Sequence, residues 1–240
     1  MGPPTTAAAP PSREIRVWDV PVRAVHWVQA GLVAVSVTTG FTGGNTLRLH
    51  RLSGYAILTL VLFRLAWGFV GGHHARFTSF LRGPRAILAF ARETVALRRP
   101  LHAGHNPLAG WGVLAMILAL LVQASTGLFA NDDIFFEGPL AGVIAKDLSD
   151  ELTGIHKANA RILLGLIGLH LGAVLFHSVV ERQSLVAPMF TGRKRWPHES
   201  DVRESGRGRP LLAAALFLAA VAAVALVVNA PGLGRTGGAP

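Results

Sequence analysis

Residues 154–178 read "GIHKANARILLGLIGLHLGAVLFHS", a run apolar enough to cross a bilayer that still keeps three histidines: His156, His170 and His177. Imidazoles inside hydrocarbon are costly, so an intramembrane ionisable residue points to function before it points to packing. The rest of the chain agrees that the solvent is lipid. Charged residues make up 15% and apolar residues 51% of the 240, against roughly 25% charged in a soluble domain. The chain has no cysteine. Disulfides, thiolate-ligated zinc, iron–sulfur clusters and covalently attached c-type haem are therefore excluded.

Five stretches are long enough to span as helices, over about residues 23–41, 50–70, 109–130, 155–180 and 210–229. The last, "PLLAAALFLAAVAAVALVVNAP", carries no charge and no histidine and reads as a plain anchor. The first twenty residues have no apolar core after a basic start, so no cleavable signal peptide is expected. Residues 1–15 are expected to form a disordered Pro/Ala-rich tail.

The loops orient the spans. Residues 71–108 hold Arg76, Arg82, Arg85, Arg92, Arg98 and Arg99 against Glu93 alone, and residues 181–209 hold Arg182, Arg193, Lys194, Arg195, Arg203, Arg207 and Arg209. Residues 131–154 hold one lysine and six acids: Asp132, Asp133, Glu137, Asp147, Asp150 and Glu151. Positive-inside bias puts the basic loops and the N-terminus in the cytoplasm. With apolar spans present, the net charge of +10 fits topology and anionic lipid better than nucleic acid, which is not an expected partner. "FLRGPRAILAFARETVALRR", residues 80–99, interleaves apolar and basic residues and predicts an interfacial helix.

The chain's histidines divide by position. His26, His50, His156 and His170 lie inside or at the ends of spans, with His177 near the inner end of the fourth; His73, His74, His102, His105 and His198 fall in loops, where a solvated ring is the expectation. His156 and His170 are 14 residues apart, which on a helix is ~40° around the axis and ~21 Å along it. They share one face at two depths. The topology supplies partners at those depths: His50 at the outer level with His156, and His26 at the inner level with His170. Each pair offers one nitrogen to each side of a flat macrocycle, the arrangement of six-coordinate haem iron, in the kind of bundle interior that holds such cofactors. His177 rivals His170 for the inner place, but it lies ~10.5 Å deeper, which favours His170. A propionate contact or an interfacial position is the alternative for His177. Arg64 follows His50 by 14 residues and shares its face at the inner level. A haem propionate would satisfy its guanidinium there; the competing reading is a side chain snorkelling to the interface. Arg51 and Lys157 could serve the outer level, or be ordinary helix-end charges.

On these residues the sequence resembles the bacterial di-haem membrane cytochrome b family, which includes the b-type cytochrome subunits of nickel–iron hydrogenases. The resemblance runs through "RVWDVPVRAVHW" (16–27), "LHRLSGYAILTLVLFRLAWGFVG" (49–71), "GHNPLAGW" (104–111), "DDIFFEGPLAG" (132–142), the opening helix and "MFTGRK". It implies two non-covalent b haems in a four-helix core, with ligands at His26, His50, His156 and His170 and none from span three. The expected fold is all-α integral membrane: a four-helix haem-binding bundle over residues 16–195, then a linker and a fifth transmembrane helix over 196–240.

Bis-histidine ligation leaves iron no open position, which favours electron transfer over oxygen binding. The expectation is an electron-transfer subunit of the bacterial inner membrane, without a catalytic residue of its own. It would link a redox partner, either a c-type cytochrome or an oxidoreductase subunit, with quinone or another acceptor; quinone reduction or oxidation is the chemistry it could add. Rival readings are a histidine-lined transporter for divalent metal or protons, and a purely structural subunit. The acids lie in loops rather than in spans, which weakens the transporter.

Overall fold

The computed structural model describes residues 12–96, 98, 102–134, 136–197, 202–206 and 208–233. Within them five long apolar helices have the length and composition to cross a membrane: α1 (Val20–Thr42), α2 (Leu47–Val70), α5 (Pro107–Gly127), α6 (Lys146–Val179) and α8 (Pro210–Leu233). Three short helices lie between them, α3 (Phe77–Phe80), α4 (Pro84–Val95) and α7 (Val186–Thr191). The fold is the expected all-α membrane architecture, with α4 inside the stretch read as interfacial.

Local chemistry sets the helix ends. Asp19 caps α1 by accepting from Val22 N at 2.9 Å, and Pro21 occupies the first turn. Asn106 caps α5 through Ala109 N at 2.7 Å, ahead of Pro107. Each pairs a side-chain acceptor with a proline that needs no donor, the usual start of a helix. α6 begins at Lys146, nine residues before the expected span. Its 34 residues make about 51 Å of helix, well over the ~30 Å of hydrocarbon. The last part of the acidic loop is therefore helical, and Asp147 in its first turn suits the positive helix end.

α2 is the centre of the bundle, flanked by α1, α5 and α8. Val22, Phe63, Trp67 and Ala220 pack α1, α2 and α8 together, while Ile57, Val61 and Ile117 join α2 to α5. α6 packs along α5 and makes no comparable contact with α1 or α2.

Two findings depart from the expected domain plan. β1 (Ser12–Arg16) pairs antiparallel with β2 (Arg193–Pro197), so the chain is ordered from Ser12 onward and not only from residue 16. The rest of the expected tail, residues 1–11, lies outside the described residues. Ile15 and Val17 are fully buried with Trp196, which explains the pairing: apolar side chains at both chain positions share one cover. The second departure concerns the linker. Ser205 N donates to Arg16 O at 2.9 Å and Ser205 Oγ to Val17 O at 2.7 Å. Arg16 N donates to Glu204 Oε2 at 3.1 Å. The connection to α8 is thus clamped to the start of the chain, on the face that also holds the loop between α2 and α5.

Candidate haem-binding centre

The four span histidines meet as two pairs between different helices. His26 of α1 stands opposite His170 of α6, with ring centroids 6.4 Å apart and planes at 61°. His50 of α2 stands opposite His156 of α6 at 6.1 Å and 83°. α6 contributes one ring to each pair while standing off from α1 and α2, so the pairs bridge that interval at two levels. A metal–imidazole bond of about 2.0–2.1 Å, with the nitrogen roughly 1.1 Å from the ring centroid, puts two trans imidazoles about 6.2–6.4 Å apart. The His26–His170 pair matches this separation and the His50–His156 pair falls 0.1 Å short of it. Among the described residues no three His, Cys, Asp or Glu side chains come together as a metal cluster.

The His50–His156 pair, outer by the loop charge, is held by backbone hydrogen bonds at both rings, while Arg51 Nε, next in sequence to His50, is buried without a partner among the described residues. His50 Nδ1 lies 2.8 Å from Ser36 O, and His156 Nδ1 lies 2.9 Å from Gln123 O. A carbonyl only accepts, so each Nδ1 carries the proton and each Nε2 keeps its lone pair. This is the tautomer that backbone carbonyls impose on metal-ligating histidines. Gln123 Nε2 donates to that lone pair of His156 at 3.0 Å, a contact that an iron ligand bond would replace, and its Oε1 accepts from Asn159 Nδ2 at 2.7 Å. Two glycines make room for the rings. A Cβ at Gly40 would come within 2.9 Å of the His50 ring, and one at Gly127 within 3.0 Å of His156.

The inner pair is surrounded by unpaired polar atoms instead. His26 Nδ1, both amide atoms of Gln29, Arg64 Nη1 and His105 Nδ1 are buried with no hydrogen-bond partner among the described residues. Arg64 is 9% exposed, with Cζ 5.4 Å from the Phe77 ring centre. It is buried in the bundle and does not snorkel to water. His105 overturns the expectation of a solvated loop ring: it stacks obliquely between Trp18 at 4.7 Å and Phe80 at 4.8 Å. Burial first, then the nearby positive groups led by Arg64, pushes its imidazole down to about 3. It is therefore a neutral donor at pH 7.

The other loop histidines separate as well. His74 Nε2 lies 2.9 Å from Arg203 O, part of the clamp on the linker, and burial lowers its pKa. His198 lies outside the described residues. His177 does not face His26; its Nδ1 lies 2.7 Å from Glu181 Oε2. At the outer level Arg51 Cζ sits 5.0 Å from the Phe136 ring centre, and Lys157 lines a polar cleft with Asp132 and Asp150.

The residues fit haem on three counts: one imidazole on each side at both levels, the Nδ1–H tautomer at the outer pair, and orphaned buried donors, Arg64 among them, where carboxylates would be welcome. Sequence reasoning missed Ser36, Gly40, Gln123, Gly127, Asn159 and His105. Lone amides inside apolar spans were an available signal for Gln123 and Asn159; close-approach glycines carried none.

Comparison with known proteins completes the description. The profile of the prokaryotic cytochrome b561 family matches residues 17–192. The probable Ni/Fe-hydrogenase B-type cytochrome subunit of Bradyrhizobium diazoefficiens is 23% identical over 213 residues, covering 76% of this chain and 86% of the relative. The protein of that name from Rhizobium leguminosarum bv. viciae is 24% identical over 221 residues, covering 79% and 92%. The one from Azotobacter chroococcum mcd 1 is 26% identical over 212 residues, covering 74% and 87%. No solved structure matches the chain.

Proposed function

The chain belongs to the prokaryotic cytochrome b561 family, as a multi-pass bacterial membrane cytochrome b of electron transport, and on that premise we propose that its four paired histidines bind two b haems, one at each level. His50 and His156 would hold the outer group, and His26 and His170 the inner one. The observation that carries this reading is the pair geometry: 6.1 Å and 6.4 Å between rings brought together from different helices.

When bound, the group would supply reversible one-electron chemistry. The protein does the rest. Ser36 and Gln123 fix the outer imidazoles through their Nδ1 protons. Arg64 and His105 offer donors to an inner propionate, with Trp18 and Phe80 holding the His105 ring in place. The helices keep the pairs about 21 Å apart along α6. Helices α1 to α7 with the β1–β2 pair form this unit, and α8 packs against α2 at its side.

The relatives are named as hydrogenase cytochrome subunits, which supports an oxidoreductase subunit as the redox partner. Electrons would pass between that partner and quinone or another acceptor. Loop charge supports a cytoplasmic N-terminus and basic face, with the acidic loop outside at the inner membrane. Purified protein should give a reduced-minus-oxidised spectrum of b haem, and pyridine haemochrome quantification should return two haems per chain. A colourless protein would leave the transporter reading standing, and one haem per chain would remove one of the two sites.

A further inference from the structure

The basic face carries a second group of titratable side chains, apart from the inner histidine pair. His177 Nδ1 lies 2.7 Å from Glu181 Oε2, and the same oxygen accepts from Gln183 Nε2 at 2.9 Å. Glu181 is 7% exposed. With His102, Asn106 and Lys194 these side chains line a cavity of about 30 Å³. Such a space admits one or two waters and no organic molecule. Lys194 of β2 donates Nζ to His102 O at 2.7 Å. His102 Nε2 is buried and has no partner among the described residues.

A buried carboxylate persists only beside a proton or a cation. The group in contact with Glu181 is an imidazole, which has a second nitrogen to take up or give off a proton. At His102, Lys194 and His177 act as positive neighbours, while Glu93 of α4 and Glu181 itself act as negative ones. Lys194 is occupied by a backbone carbonyl, and burial lowers its own pKa. His177 is seven residues beyond His170 on one helix, ~10.5 Å along the axis. At that distance a charge change at one end acts on the other by Coulomb interaction.

We propose that His177, Glu181 and His102 form a proton-loading site on the basic face, which takes up one proton when an electron arrives at the inner histidine pair and releases it when the electron leaves. The proposal rests on the reading that this pair binds haem. The step balances simply. One electron comes from the redox chain, one proton comes from water through the cavity, and the proton settles on the His177–Glu181 pair as N–H or O–H. His102 Nε2 receives or hands on that proton through the cavity water.

Redox titration of the full-length protein between pH 5.5 and 8.5 tests this, with the inner component identified as the one lost in His170→Ala. The inner midpoint potential should fall with rising pH, approaching about 59 mV per unit for one proton per electron. The outer one should stay level. Glu181→Gln and His177→Gln should each flatten the inner slope while both haems remain. Two haems with no slope in the wild type, or a slope kept in both variants, would overturn the proton site and leave the haem reading intact. A missing inner haem in the wild type would overturn both.

Discussion

The two histidine pairs share a helix and a ring separation but differ in everything around them. At the outer level each Nδ1 has a backbone carbonyl, Gln123 is tied down by Asn159, and two glycines let the rings lie close to their neighbours. At the inner level the imidazole of His26, the amide of Gln29, the guanidinium of Arg64 and the ring of His105 all keep buried atoms without partners. The outer rings are held by the protein's own carbonyls, with Arg51 Nε left unpaired nearby, whereas more of the buried polar atoms around the inner rings lack a partner among the described residues. An unpaired buried donor costs about 1–3 kcal/mol, so the inner end gains more from a carboxylate-bearing ligand than the outer end does.

The contrast can be broken most severely where the outer rings are packed. In Gly127→Val the new Cβ starts 3.0 Å from the His156 ring on a helix backbone, and ring or helix must shift. The variant should purify with one haem per chain and an unchanged inner signal; two haems in the variant would show that the outer site tolerates movement. A smaller effect sharpens the inner half of the comparison. Arg64→Gln removes a buried positive charge that favours the reduced state. It should lower the inner midpoint potential by tens of millivolts, roughly 1–2 kcal/mol at an effective dielectric constant of about 20, and leave the outer potential in place. Redox titration of the variant beside the wild type reads both at once.

Much of this was legible in the chain. Hydropathy located all five spans, because a helix in lipid must be apolar over its length. The 14-residue spacing on α6, set against a topology read from loop charge, pairs the four histidines from the sequence alone. What escaped has a common physical cause. β1 and β2 lie some 180 residues apart in sequence, and five-residue strands this rich in charge show no period that reveals a partner. The Ser205 clamp on Val17 is likewise a long-range contact made by a segment with ordinary linker composition. His105 sits in a loop, where solvent is the default, and only the rings of Trp18 and Phe80 make it a core residue. His177 pairs with Glu181, four residues on, at an i,i+4 spacing that is visible in the sequence.

Haem content of single alanine variants at His26, His50, His156, His170 and His177 tests the pairing most directly. The account predicts that His50→Ala and His156→Ala lose one and the same spectral component, that His26→Ala and His170→Ala lose the other, and that His177→Ala keeps both haems. Loss of the inner component in His177→Ala with its retention in His170→Ala would contradict it.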